Sequence, residues 1–201
     1  MSTIALPAVP FQAAYPQIVR SDSVSRSGQK VMAVIEYADP VWQINMKTVP
    51  LRASERLLVE AFRDAARGGL QTVLYTPKHM CVPQAYWGDA GNTALSNNGN
   101  LVSITGNSLV INSVDNGLTL GPGDLISATT GEYNSLFRVQ TGAVAASNTM
   151  TITVEPTVPS YITAGAVVRF KNPLANMRCV SFDITDDLMP TASFTLVEIP
   201  K

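Results

Sequence analysis

Between residues 42 and 49 the chain alternates strictly. Trp42, Ile44, Met46 and Thr48 fall on one side and Gln43, Asn45 and Lys47 on the other, which is the two-residue period of a half-buried antiparallel strand. Residues 30–36 form a second run rich in apolar and β-branched residues, preceded by a turn-rich stretch at 21–28. Asp39-Pro40 predicts the turn joining the two strands, giving a hairpin with one wet face. The period changes once. Leu57, Leu58, Ala61, Phe62 and Ala65 recur at helical spacing, and the ends carry matching signals. Ser54 is placed to cap free amides, Glu55 complements the positive end of the dipole, Arg63 and Arg67 complement the negative end, and Gly68-Gly69 supplies the stop. One α-helix over 54–67 is predicted, its stripe laid on the preceding hairpin. Residues 71–75 then read as a returning strand ended by Pro77.

Residues 1–16 predict an extended arm, because Pro7, Pro10 and Pro16 lack a backbone donor and push their predecessors away from helix. Its apolar Ile4, Leu6, Val9, Phe11 and Tyr15 need cover, which either the same domain or a neighbouring subunit would supply.

From 89 to 100 the sequence DAGNTALSNNGN is nearly all small and polar, the composition of an exposed loop or linker. Short β-prone runs follow at 101–105, 108–113, 125–128, 136–141, 149–154 and 166–170. Asn116-Gly117, Gly121-Pro122-Gly123-Asp124, Thr130-Gly131 and Ser147-Asn148 separate them with turn chemistry, so this segment predicts a small barrel or sandwich. Two longer strands, 178–185 and 192–199, flank Asp186-Asp187 and Pro190; their alternating Phe194, Leu196 and Ile199 match the first hairpin better than the short runs. The chain is therefore expected to leave its first domain near 85 and return near 174. The fold expected is mainly β: a sandwich or barrel-like domain formed by 17–87 with 173–201 and carrying one helix, the arm 1–16, and an inserted small β-barrel at 88–172.

Composition narrows the classes. With 46% hydrophobic and 14% charged among 201 residues, the chain can bury a core, and neutral polar groups must cover much of its surface. A net charge of −1 with dispersed basic residues leaves no stripe to neutralise phosphates, so specific nucleic-acid binding is not expected. No Lys or Arg precedes Arg20, Pro7 and Pro10 interrupt the first apolar stretch, and no run approaches the roughly 20 apolar residues of a membrane span. A protein made soluble, neither exported by itself nor membrane-bound, is expected. Cys81 and Cys179 are too few and too far apart for a disulfide framework or a zinc site and predict reduced thiols in a cytoplasmic setting.

Candidate chemistry is sparse. The single histidine, His79, lies two residues from Cys81, but alternate strand residues point to opposite faces and a base must reach its nucleophile within about 3 Å. Asp183, Asp186 and Asp187 bring carboxylates together, yet lack the alternating ligands and glycine of a calcium loop, and a solvated turn accounts for them. Gly121-Pro122-Gly123-Asp124 is followed by neither a Lys-Ser nor a helix and reads as a turn. Tyr86 and Trp87, with Tyr133 and Tyr161, are candidates for an aromatic sugar platform or for packing and interface anchors. No residue is nominated as catalytic, cofactor-binding or metal-ligating, so the expectation is a protein that is not an enzyme and holds no cofactor.

Taken in order, the tryptophan strand, PLRASERLLVEAFRDAARGGLQTVLY, the insertion with LTLGPGDLI, SLFRV, NTMTITVEPTV and GAVVRF, and the closing SFTLVEI resemble the distal tail proteins of tailed bacteriophages. Leu58, Phe62, Arg67 and Gly68 match that family's helix and stop, Gly123-Asp124 and Phe137-Arg138-Val139 its insertion, and residues 194–198 its closing strand. The resemblance covers most of 17–200. It implies a structural virion protein, made in the host cytoplasm and built into the phage tail as a homo-oligomeric, hexameric ring between the tail tube protein and the baseplate hub. Ring contacts of this kind are heterologous and close by rotation. The interface is expected at the arm and the Trp42 hairpin, with 1–16 and 76–88 buried on assembly. Tube and tail-completion proteins share related barrel cores, a receptor- or saccharide-binding module on 88–172 is the alternative from another class, and a cell-wall hydrolase is a third.

Overall fold

The computed structural model describes residues 3–27 and 31–199. Fourteen strands and one α-helix follow one another: β1 (Thr3–Ala5), β2 (Gln17–Ser27), β3 (Val31–Lys47), α1 (Ala53–Ala66), β4 (Thr72–Tyr75), β5 (Gly99–Thr105), β6 (Ser108–Asn112), β7 (Thr119–Leu120), β8 (Leu125–Thr130), β9 (Tyr133–Thr141), β10 (Ala143–Val144), β11 (Thr149–Glu155), β12 (Val167–Arg169), β13 (Ala175–Ile184) and β14 (Ala192–Glu198). The protein is mainly β. One sheet has the order β1-β4-β13-β14-β3-β2, and β11-β6-β5-β12-β8-β9 close into a barrel.

The alternation read at 42–48 sets the sheet's inner face. Trp42, Ile44 and Met46 are buried with Phe194 and Leu196 of β14 and Val73 and Tyr75 of β4. Register follows this face: Ile44 stands opposite Leu196 and Met46 opposite Phe194. β3 itself is much longer than expected. Residues 31–47 are one strand that runs through Asp39-Pro40, so the turn predicted there is overturned, and the connection falls at 28–30, outside the described residues. Proline is accommodated because the ladder shifts where it sits: Val41 pairs with Val19 and Ala38 with Ser21, and Pro40 lies at this bulge, where no amide is required. The turn-rich reading of 21–28 is likewise replaced over 21–27, where Ser23 pairs with Ile35 and Val24 with Val34.

The helix forms where predicted but with a different start and phase. Its N-cap is Arg52, whose amide donates to Glu55 Oε2 at 2.8 Å; Ser54 lies inside the first turn. The buried positions are Val59, Phe62 and Ala66, whereas Leu57 and Leu58 are 67% and 50% exposed. Two apolar stripes overlap at Phe62, and the buried one runs through Val59, Phe62 and Ala66, the Phe62 ring lying 5.6 Å from that of Phe194. Arg67 at φ 47° ends the helix. Gly69 follows at φ 90°, where a Cβ would stand 3.0 Å from the Cys179 carbonyl oxygen.

The arm is covered by its own chain. β1 pairs in parallel with β4, Gln12 N–H donates to the Lys47 carbonyl at 2.8 Å and Val49 N–H to that of Pro10 at 3.2 Å. Phe11 meets Phe194 edge-on at 5.8 Å. Val9 is buried, Ile4, Leu6 and Phe11 are half-buried, and Tyr15 is exposed. The arm expected to be buried only on assembly is thus partly covered already within its own chain.

All six short runs become barrel strands. Leu101, Leu109, Ile111, Ile126, Phe137, Ile152, Val154, Val168 and Phe170 fill the interior. Residues 99 and 100, read as loop, belong to β5. Gly99 lies against the core, where a Cβ would stand 2.5 Å from Ile111 Cγ2. Alternation along β8 and β9 does double duty, because Ile126 and Phe137 point into the barrel while Leu125 and Leu136 enter the sheet's core beside Trp42. Among the described residues no helix is long and apolar enough to cross a membrane.

Candidate functional site

The residues singled out by sequence do not converge. His79 is exposed and tilts against Tyr15 at 6.3 Å between centroids, while Cys81 is half-buried and Cys179 buried, both as free thiols. Asp186 reaches Arg56 Nη2 at 3.5 Å and is otherwise in solvent; Asp183 and Asp187 are exposed. Among the described residues no group of three His, Cys, Asp or Glu side chains is placed to hold a metal ion. The glycine-rich run is a turn locked by buried Asp124, whose two oxygens accept the amides of Gln84 at 2.8 Å and Gly121 at 2.7 Å.

The four aromatics are divided between two places. Tyr86 is buried, donates to the Gly117 carbonyl at 3.3 Å and accepts the Thr119 amide at 2.9 Å. Trp87 beside it is largely exposed and donates to the Val82 carbonyl at 3.3 Å. Tyr133 and Tyr161 instead pair with each other, 5.5 Å apart, at the other end of the β8–β9 hairpin.

One group that sequence reasoning passed over is better placed. Glu198 is the last residue of β14 and only 7% exposed. Ala192, Phe194 and Leu196 precede it at two-residue spacing on the buried face, so a period-two count puts the carboxyl indoors; that count was the available signal. Its Oε2 accepts the Trp42 amide at 3.3 Å and its Oε1 the Ser135 hydroxyl at 3.0 Å. The first partner belongs to the sheet and the second to barrel strand β9. Burial pushes the Glu198 carboxyl up to about 7, against the two hydrogen bonds, which favour its charged form. Tyr161 is held above the ordinary tyrosine range by burial and by the charge of Glu198, with the Ser135 hydroxyl within its hydrogen-bonding reach.

Further bonds tie the two cores together here. Trp42 Nε1–H donates to the Leu136 carbonyl at 2.6 Å, the Leu174 amide to Ser127 Oγ at 2.9 Å, and Asn134 Nδ2 to Asn176 Oδ1 at 2.9 Å. The Arg138 guanidinium lies 5.0 Å over the Trp42 ring and donates to the Pro16 carbonyl at 2.8 Å. A cleft of about 530 Å³ opens at this junction, lined by Ser21, residues 38–41, residues 156–161 and Glu198.

A second feature lies at the far end of β2 and β3. β14 accompanies β3 only over 43–47, so beyond it the hairpin is two strands alone, and β2 is the last strand of its sheet. Met32 and Val34 on one face are 59% and 53% exposed, and Ile35 and Tyr37 on the other are 65% and 72% exposed. Arg20 braces the base of the hairpin, pairing with Glu36 at 3.4 Å and with Glu155 of the barrel at 2.9 Å.

No family model matches the chain, and no curated protein matches it.

Proposed function

We propose that this chain is a structural subunit of a bacteriophage tail, a distal tail protein whose copies close into a ring between the tail tube and the baseplate hub. The observation that carries the reading is the hairpin of β2 and β3. Over its outer part both faces present apolar side chains to solvent and both edges lack a neighbouring strand among the described residues. A lone two-stranded hairpin is marginal in water, and an exposed apolar edge recruits other strands unless something covers it.

Copies arranged head to tail satisfy the hairpin. The β2 edge of one subunit lies beside the β3 edge of the next, and only a closed ring leaves no edge over. Six copies, a place in the virion and contacts with tube and hub proteins come from the family resemblance. The interface in this reading is the outer hairpin, rather than the arm or the Trp42 segment, both of which are already packed within the subunit. The subunit's part is architectural, and no reaction is assigned to it.

Light scattering on the purified protein, with electron micrographs of the same sample, tests the proposal. The expected result is a closed ring that the double substitution Ile35→Lys, Tyr37→Lys disperses to folded monomers, and a protein recovered with tail particles. A wild-type monomer at the highest attainable concentration, absent from tails, would overturn it.

A further inference from the structure

A buried carboxyl, Glu198, stands where the barrel meets the sheet and lines an open cleft. We propose that Glu198 is a proton-operated joint between barrel and sheet: the neutral acid holds the two together, and its ionisation draws water into the cleft and loosens the barrel.

The geometry supplies both states. In the neutral state a hydrogen on Oε1 is donated to Ser135 Oγ, 3.0 Å away. Oε2 still accepts the Trp42 amide. A continuous chain then runs from β9 through β14 to β3. In the ionised state Ser135 donates back to the carboxylate, and water in the cleft that Glu198 lines can supply further donors.

No compensating cation meets the charge among the described residues. β3 presents the Trp42 amide, β9 the Ser135 hydroxyl, the 156–161 loop Tyr161, and β13 Met177 in register. Asp39, which lines the same cleft, has the same sign. Arg138 is engaged with the Trp42 ring and Pro16, and Arg20 with Glu36 and Glu155. An uncompensated buried carboxylate is relieved by hydration, and the cleft is the route by which water arrives.

Trp42 is the natural reporter, since its indole spans the joint and the chain has two tryptophans. In full-length protein with Trp87→Phe, emission of Trp42 is followed from about pH 5 to about pH 9, a range set around the usual span of such shifted acids. A red shift with its midpoint near neutrality is expected, accompanied by several-fold faster amide exchange in 133–141 and 156–161 after correction for the intrinsic effect of pH. Adding Glu198→Gln is expected to abolish both changes, and adding His79→Gln to leave them. Ser135→Ala, which removes a bond favouring the ionised form, is expected to move the midpoint upward and stands in if the glutamine variant does not fold. An unchanged transition in Glu198→Gln, its loss in His79→Gln, no upward movement in Ser135→Ala, or no transition at all would overturn the proposal. The joint lies within one chain, so the same midpoint is expected in the Ile35→Lys, Tyr37→Lys background, and ring formation can fail without it.

Discussion

The indole N–H of Trp42 donates to the backbone carbonyl of Leu136 across 2.6 Å, tying strand β3 of the sheet to a strand of the barrel at a fully buried point. Leu136 is also the residue whose side chain leaves the barrel for the sheet's core, so one peptide supplies both the polar and the apolar half of the contact. Trp42→Phe keeps a ring there but leaves that carbonyl without its donor and opens space beneath Arg138. A loss of about 2–4 kcal/mol is expected from the orphaned buried acceptor and the unfilled volume together, measured by urea unfolding at fixed pH.

Within the barrel, Gly99 is constrained by space. A Cβ added to it would stand 2.5 Å from Ile111 Cγ2 and 3.0 Å from Phe170 Cζ, and Ile111 is itself held inside a closed ring of strands. Gly99→Ala is expected to destabilise by about 1–3 kcal/mol, the usual cost of overpacking, seen as a lower thermal midpoint. Gly91→Ala, whose Cβ would meet nothing within 4 Å, is the control and is expected to change little.

Much of this architecture was legible in the sequence. The six barrel strands lay between turn dipeptides, and the 42–48 alternation marked the buried face because period-two patterning reports burial directly. Two features escaped local pattern. Asp39-Pro40 looks like a turn unless the partner strand is known to bulge opposite it, and that bulge is a property of the pair. Glu198 ends the closing strand, and its charge masks what its position in the Phe194–Leu196 series implies. Whether the carboxyl meets Ser135 depends on how the barrel docks, which no local window of sequence contains.

Helix phase is the clearest case of ambiguity, and it is open to measurement. Both Leu57 and Val59 sit at helical spacing from further apolar residues, but only Val59 is buried, beside Leu51, Val9 and Ala192. Val59→Ala is expected to cost about 1–3 kcal/mol through lost burial and a residual cavity. Leu57→Ala is expected to fall within about 0.5 kcal/mol of wild type, as surface substitutions usually do. Denaturation of the two variants under identical conditions distinguishes the faces; a larger loss from Leu57→Ala than from Val59→Ala would place the helix the other way round.

The pH dependence of stability carries the last prediction. The Glu198 carboxyl is raised from 4.5 to about 7 in the folded protein, so between those values the folded chain holds a proton that the unfolded chain has released. Stability from this group is complete below about pH 4.5, declines as pH rises through about 7, and is absent above it. At about 1.4 kcal/mol per unit, the difference between the two limits is about 3 kcal/mol, and hydration of the cleft on ionisation reduces it. Wild-type protein is therefore expected to unfold at lower urea at pH 8 than at pH 5, the reverse of what a carboxylate held in an ion pair produces. Glu198→Gln cannot ionise and should flatten that slope while raising stability at pH 8. A wild-type slope of the opposite sign, or one that glutamine leaves intact, would show that the buried acid is not the group responsible.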